Sequence, residues 1–563
     1  MITIGIYGSF DWEAHKSFDQ NGEPTWCHDA GATLFVDGKH ICSISEERLT
    51  RRKHDGNYPE NSIEYCLSFA NILAEDVNLV CVPSMCVSIF YKKLYMGIIH
   101  KIIEEKFPNA EIKIVSHHLS HAAASVFSSE FNEGSFLTLD GAGSVAFGYN
   151  FQDSFIAETN TIGYFNKEKG IFRLFNGIPG SNDFGGYYHN LSHHIYCEKI
   201  GKQINGYDEK YRETWDGKIM GLSAYGSDLE FKDCHRQYQM SSDLYYEDVP
   251  YVTFTKNFED SFRFTNADEK AYIIQKNFEI ALLDYATNLK EKGYLEDYVC
   301  LSGGSFLNVL GNSVLKQSGL FKDIHVPPCP NDVGLHFGAA CYGQFKNDQP
   351  IELPENIALL GKEYSEEDIE EVLKENEVRY EKYDDFEELC EFTALQLSGN
   401  KIVAWFQGRS EFGPRALGSR SLLMHPGPAE NKDIINSRVK HREYWRPFAG
   451  IILEEHLTNY FYEDFNSPYM LYSLTVKDDK KDELGAITHK DNTCRIQTVN
   501  NKINPKVTTL LNKFKEITGI PAILNTSFND NGEPIVESPQ DAIRSFENMD
   551  IDYLVIGNFI VRK

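Results

Sequence analysis

Apolar residues fall in short alternating or continuous blocks along the first part of the chain, and these blocks predict strands. Ile2–Tyr7 is the first. Ala32–Val36 and His40–Ser45 follow, split by Asp37-Gly38, a pair suited to the positive φ angles of a two-residue hairpin turn. Strand-like runs recur at Leu79–Pro83, Ile112–Val115, Ser135–Leu139 and Tyr298–Leu301. Between them, Asn61–Ile72 and Glu269–Lys290 carry apolar residues at helical spacing. After Cys341 the pattern loosens into Gln344–Leu360, polar and with two prolines, which reads as a linker. A second alternating region follows: an acidic helix near Glu366–Glu375, a strand at Ile402–Phe406, helices near Lys506–Glu516 and Pro539–Phe546, and a closing strand pair. No fixed-period repeat is visible. Alternating strands and helices on both sides of a linker predict an α/β protein of two domains, residues 1–345 and 361–563, joined by 346–360. A length of 563 residues, beyond what one core usually supports, agrees.

Charge narrows the partners. With 55 Lys+Arg against 83 Asp+Glu, the net charge is −28. Such a surface argues against a nucleic-acid or anionic-membrane binder, while leaving room for a small buried anion site. The most apolar stretch, Val87–Ile99, is interrupted by Lys92 and Lys93 and falls short of the roughly 20 residues of a membrane span. The opening residues carry no basic leader, and the 12 cysteines form no C-x-x-C pair. Reduced thiols and a cytoplasmic location are expected.

Three stretches carry candidate chemistry. In Ser116–His121 (SHHLSH) before an alanine-rich run, His117 and His121 stand at i and i+4, so on a helix two imidazoles can meet one cation. No Glu follows the first histidine, which excludes the zincin protease pattern. Asp140 ends the apolar run of FLTLDGAG, and Asp332 closes the rigid loop PPCPND ahead of a helical run, Leu335–Cys341. Taken singly, each aspartate also fits a turn or helix cap. Together with the histidines they would form a set of two nitrogens and two oxygens suited to Fe2+, Mn2+ or Zn2+. Leu301–Asn312 (LSGGSFLNVLGN) places adjacent glycines between strand and helix, where backbone N–H groups can face an anion or nucleotide. It is neither a Walker loop nor G-x-G-x-x-G. Finally, Arg409–Arg446 holds eight Lys/Arg against four acids, cations set among Phe412, Trp445 and Phe448. Guanidinium forks and a lysine match phosphate oxygens.

HDAGATLFVDGKHICSISEERLTRRKHDGNYP (His28–Pro59), HHLSHAAAS, LDGAG, GKIMGLSAYG (Gly217–Gly226) and SGGSFLN resemble the amino-terminal domain of the NodU/CmcH family of O-carbamoyltransferases. GRSEFGPRALGSRS and NTSFN…GEPIV continue the resemblance, and Lys440-x-Arg442 with Ser527-x-Asn529 is similar to the K-x-R…S-x-N signature of YrdC/Sua-type domains. The resemblance implies an actin-like ATPase (ASKHA) fold for the first domain and a YrdC-like α/β fold for the second. It implies metal binding by His117, His121, Asp140 and Asp332, with Fe2+ the expected ion and Mn2+ or Zn2+ the alternatives. Nucleotide contact is assigned to Asp140, Gly141, Gly143, Lys218, Gly221, Ser302, Gly303, Gly304 and Asn308. Carbamoyl phosphate falls to Arg415, Lys440, Arg442, Arg446, Arg495, Ser527 and Asn529. One departure stands out: Ser9–Cys27 intervenes between the first strand and the H-D motif at His28 as an acidic insertion.

The implied reaction forms carbamoyl adenylate from carbamoyl phosphate and ATP with Mg2+, then transfers the carbamoyl group to a hydroxyl of a small-molecule acceptor. His28 is the candidate base and His54 a weaker one. The rivals are an actin-like small-molecule kinase, a fused tRNA threonylcarbamoylation enzyme and a binding-only scaffold. Neither the acceptor nor the oligomeric state is legible, a homodimer being among the options.

Overall fold

A computed structural model describes residues 1–10, 27–84, 89–141, 158–179, 184–204, 215–232, 235–242, 250–254, 262 and 265–563. Most of the Ser9–Cys27 insertion and Gly143 lie outside them. The chain forms two compact units: Met1–Thr50 with His54–Leu353, and Pro354–Lys563 with Arg51–Lys53.

The first unit holds two five-stranded sheets. In the first, β1 (Ile2–Tyr7), β2 (Gly31–Val36), β3 (Lys39–Ser45), β4 (Leu79–Pro83) and β5 (Glu111–Val115) run in the order β3-β2-β1-β4-β5. β1, β2 and β3 pair antiparallel, while β1, β4 and β5 pair parallel. The second sheet begins with β6 (Glu133–Leu139), β7 (Glu158–Asn166) and β8 (Ile171–Pro179). After a separate hairpin of β9 (Tyr238–Ser242) and β10 (Pro250–Phe254), it is completed by β11 (Tyr298–Ser302) and β12 (Asp323–His325). Its order, β12-β11-β6-β7-β8, repeats the first layout strand for strand, with β6, β7 and β8 antiparallel and β6, β11 and β12 parallel. This doubled layout is that of the actin-like fold, and it stands without any repeat in the sequence.

Physical reasons for the layout are local. Ile4, Ile6, Val80 and Val82 are buried in one apolar cluster, as expected of central strands covered on both faces. The helices His117–Ser128 and Leu335–Lys346 pack together because Gly338 lacks a side chain: a Cβ there would collide with the Ser120 carbonyl.

The second unit is built on a nine-stranded sheet. Its strands are β13 (Tyr380–Lys382), β14 (Val403–Phe406), β15 (Arg420–Met424), β16 (Ala449–Leu453), β17 (Ser473–Thr475), β18 (Thr493–Val499), β19 (Ala522–Ser527), β20 (Tyr553–Ile556) and β21 (Phe559–Arg562). They lie in the order β13-β21-β20-β14-β15-β19-β16-β18-β17. Trp405, Leu423, Ile451, Leu511, Phe514 and Ile523 form its core. The stretch read as a linker is packed: a helix continues to Lys346, Glu352 bridges to Lys39, and Ile357, Ala358 and Leu360 are buried. Arg51–Lys53, which the sequence reading placed in the first domain, belong to the second unit. Among the described residues no helix is long and apolar enough to cross a membrane.

Candidate active site

In the first unit the helix that starts at His117 brings His117 and His121 onto one face, ring centroids 4.9 Å apart, both buried. Asp140 lies at the end of β6 and Asp332 opens the turn ahead of the helix Leu335–Lys346. His117 Nε2 is 3.3 Å from Asp140 Oδ2 and 3.4 Å from Asp332 Oδ1. For His121 Nε2 the corresponding distances are 3.5 Å and 3.3 Å. Burial alone would lower the pKa of His117, but Asp332 and Asp140 outweigh it and raise it to about 10. His121 is raised in the same way, and the histidines hold both carboxyls below the usual range despite burial. His118 sits between the two but is structural. Its Nδ1 meets Thr161 Oγ1 at 2.7 Å, and burial lowers its pKa to about 3.

The four residues expected to bind metal therefore converge, with one ligand atom of each within 4.8 Å of the others. His121 Nε2 carries the fit: it is fully buried, faces both carboxylates, and has the alignment of a hydrogen bond to neither. A buried nitrogen aimed between two carboxylate oxygens suits a cation.

Beside this cluster the second oxygens of the carboxylates are engaged. Gly304 N–H donates to Asp140 Oδ1 at 2.9 Å, and the Tyr7 hydroxyl donates to Asp332 Oδ2 at 2.8 Å. Gly303, at φ 96°, allows this approach, since a Cβ would strike the Leu139 carbonyl. Ser302 Oγ lies 2.9 Å from Thr138 Oγ1. The loop Ser302–Gly304 thus stands against Asp140, with the Gly303 N–H on Pro330 O at 2.8 Å and the Gly304 N–H on Asp140. Asn308 is otherwise occupied: it caps the helix Val309–Gln317 through Gly311 N–H and pairs with Gln275 at 3.0 and 3.1 Å. Lys218 and Gly221 sit on a separate helix, Trp215–Leu222, where Lys218 Nζ reaches Tyr196 Oη at 3.0 Å.

Both candidate bases meet one carboxylate that the sequence reading passed over. Asp29 Oδ2 is 3.1 Å from His28 Nδ1 and accepts from Asn331 Nδ2 at 3.2 Å, while Asp29 Oδ1 is 2.8 Å from His54 Nδ1. Although burial opposes it, His54 and His28 hold the Asp29 carboxyl well below its ordinary range. Asp29 also adopts φ 62°, a left-handed conformation uncommon for a residue other than glycine. His28 Nε2 lies 3.8 Å from Asp332 Oδ2, at the edge of the histidine–aspartate cluster.

In the second unit the K-x-R and S-x-N signatures meet. Lys440 Nζ donates to Ser527 O at 2.6 Å, Asn529 O at 3.0 Å and Asn529 Oδ1 at 2.9 Å. Ser527 Oγ donates to Asn529 Oδ1 at 2.6 Å. Burial, and then Arg442, Arg446 and Lys53, lower the pKa of Lys440. Arg415, Arg442 and Arg495 are lowered by burial and by one another or by Arg446, so the four guanidiniums form a single repelling group. Nε of Arg415, Arg442 and Arg495 is buried without a hydrogen-bond partner. Such a group is built for an anion.

Three of the eight cations counted between Arg409 and Arg446 have structural work instead. Arg409 donates to Gly361 O and Leu360 O, and Arg438 grips Asp550 at 2.8 and 2.9 Å. Arg420 lies 3.6 Å over the Phe406 ring and donates to the Gln407 and Gly408 carbonyls. Glu411, not singled out in the sequence, winds the loop that carries Arg415 by accepting backbone N–H groups of Leu417, Ser419 and Arg420.

The molecule thus joins an actin-like unit bearing a histidine–aspartate cluster to a second α/β unit bearing a buried arginine group. The chain belongs to the carbamoyltransferase family: residues 21–90 and 85–341 match the family model of the carbamoyltransferase N-terminus, and 394–563 that of the C-terminus. It is 32% identical over 610 residues to nodulation protein NolNO of Sinorhizobium fredii (strain NBRC 101917 / NGR234), covering 100% of this chain and 83% of that one. It is 33% identical over 466 residues to nodulation protein NolO of Bradyrhizobium diazoefficiens, covering 80% and 79%. Over 260 residues it is 34% identical to the 3'-hydroxymethylcephem-O-carbamoyltransferase of Amycolatopsis lactamdurans, covering 46% and 47%.

Proposed function

We propose that the protein is an ATP-dependent O-carbamoyltransferase acting on a hydroxyl of a small-molecule acceptor, the kind of reaction named for the Amycolatopsis relative. The observation that carries this reading is the group of Arg415, Arg442, Arg446 and Arg495 beside Lys440 in a chain of net charge −28. Carbamoyl phosphate, a small dianion with a carbonyl, matches these donors. Net, carbamoyl phosphate, ATP and water give carbamoyl adenylate, phosphate and pyrophosphate. The arginines neutralise the charge that builds on the phosphoryl oxygens, and Ser527 and Asn529 hold the buried Lys440 in place.

Transfer belongs to the first unit. Asp29 holds His28 through Nδ1, and Nε2 is assigned the acceptor's hydroxyl proton. The acceptor oxygen then bonds to the carbamoyl carbon, and AMP leaves with the electrons of the broken C–O bond. The nucleotide is assigned to the loop Ser302–Gly304, where Gly303 and Gly304 present no side chain and let a ligand approach the backbone closely. A divalent metal held by His117, His121, Asp140 and Asp332 would supply a Lewis acid for phosphate or acceptor oxygens.

The test is pyrophosphate release from purified protein with ATP, Mg2+ and carbamoyl phosphate, each omitted in turn. Release that requires carbamoyl phosphate and falls about 100-fold in Arg415→Ala, roughly the loss of a charged hydrogen-bond pair, supports the adenylate step. ADP formation indifferent to carbamoyl phosphate overturns it in favour of a kinase.

A further inference from the structure

Tyr7 ends β1 and is buried, 1% exposed. Its ring packs edge-on against His117, centroids 6.2 Å apart, and its hydroxyl lies between the buried Cys27 thiol and Asp332. The hydroxyl donates to Asp332 Oδ2 at 2.8 Å. His28 Nε2 also faces that oxygen, at 3.8 Å. Asp332 is thereby divided: Oδ1 points at His117 and His121, at 3.4 and 3.3 Å, while Oδ2 is tied to the first strand. Asp140 is divided in the same way, with Oδ2 toward the histidines and Oδ1 on Gly304 N–H. Two carboxylates, one at the end of β6 and one in the turn ahead of the helix Leu335–Lys346, each present a single oxygen.

We propose that Tyr7 is a positioning residue of this centre, whose hydroxyl holds Asp332 to one-oxygen ligation and so biases the site toward transition-metal ions over larger cations. This rests on reading His117, His121, Asp140 and Asp332 as metal ligands, and is independent of the carbamoyl chemistry. The physical basis is ligand demand. Ca2+ takes six to eight oxygens and often both oxygens of one carboxylate, whereas imidazole nitrogens with single carboxylate oxygens suit first-row transition ions. Groups behind the ligands set their orientation, and their loss typically lowers affinity about 10–100-fold. Without the Tyr7 hydroxyl, Asp332 can turn both oxygens toward the ion. A transition ion then loses an oriented ligand, and Ca2+ gains a ligand atom.

The experiment titrates full-length, chelator-stripped protein with Mn2+, followed by the paramagnetic resonance of free Mn2+, and with Ca2+ in competition with a chromophoric chelator. Tyr7→Phe, which keeps the ring against His117, is expected to weaken Mn2+ binding about 10–100-fold and to lower the Mn2+/Ca2+ affinity ratio. An unchanged ratio overturns the proposal, including the case where both ions weaken in proportion, as general loosening would cause. His121→Ala tests the ligand assignment separately: it is expected to abolish Mn2+ binding, and undiminished binding overturns that assignment and the proposal with it. Infrared difference spectra of the wild-type protein on Mn2+ binding need no variant. Widely separated carboxylate stretches are expected for one-oxygen ligation, and the narrow separation of a chelating carboxylate would overturn the proposal.

Discussion

At Glu411 a single buried carboxylate oxygen accepts three backbone N–H groups, from Leu417 and Ser419 at 2.8 Å and Arg420 at 3.0 Å. The loop Gly413–Ser419 is wound on that oxygen, and Arg415 is presented from it. Glu411→Ala leaves three buried donors unpaired, each at a cost of about 1–3 kcal/mol. The expected result is a lowered melting temperature and a KM for carbamoyl phosphate raised at least about tenfold, with the KM for ATP unchanged; equal changes in both would contradict the role. A milder substitution separates charge from shape. Arg415→Lys keeps the cation but loses the planar fork. It should retain carbamoyl-phosphate-dependent pyrophosphate release at a level between wild type and Arg415→Ala, measured side by side. Neither position could be ranked from sequence. Glu411 is one acid among many until its three donors are seen, and Arg409, Arg420 and Arg438 were counted with the anion group because a sequence does not reveal that backbone carbonyls, Phe406 and Asp550 already occupy them.

Local elements were far more legible. The strands Ile2–Tyr7 and Leu79–Pro83, the hairpin about Asp37-Gly38 and the helix Glu366–Glu375 stand where the apolar pattern puts them, because alternation, turn chemistry and capping are short-range properties. The His117/His121 pair was visible for the same reason. What was not legible depends on pairing between distant elements. The doubled five-strand order leaves no repeat in the sequence, and Tyr7 meets Asp332 across 325 positions. Gly338 shows how such a distant contact is enforced, since it lets the helix before which Asp332 sits lie directly on the helix that bears the histidines. Gly338→Val would drive a side chain into the Ser120 carbonyl. Overpacking of this kind costs about 1–3 kcal/mol, and here it would also separate Asp332 from His117 and His121. A fall in melting temperature accompanied by loss of Mn2+ binding is expected; stability loss with full Mn2+ affinity would show that the two helices do not set the cluster.

For the whole molecule, a net charge of −28 coexists with a concentrated cationic site in one unit and a histidine–aspartate cluster in the other. The acidic surface disfavours a tRNA partner, and the division of labour we propose makes the two chemical steps separable. In the proposed function adenylate formation draws on the arginine group, so it should not need the ion of the first unit. Transfer draws on His28 and the cluster beside it, so it should. Protein stripped by a chelator and returned to Mg2+ alone is therefore expected to release pyrophosphate from ATP and carbamoyl phosphate at the wild-type rate. The same protein should fail to move the label of [14C]carbamoyl phosphate onto a panel of hydroxylated small molecules that the loaded protein carbamoylates. Arg415→Ala should lose both steps, and Asp29→Asn, which weakens the hold on His28, only the second. Loss of pyrophosphate release on stripping would place the metal in the first step and refute the separation, whatever the acceptor proves to be.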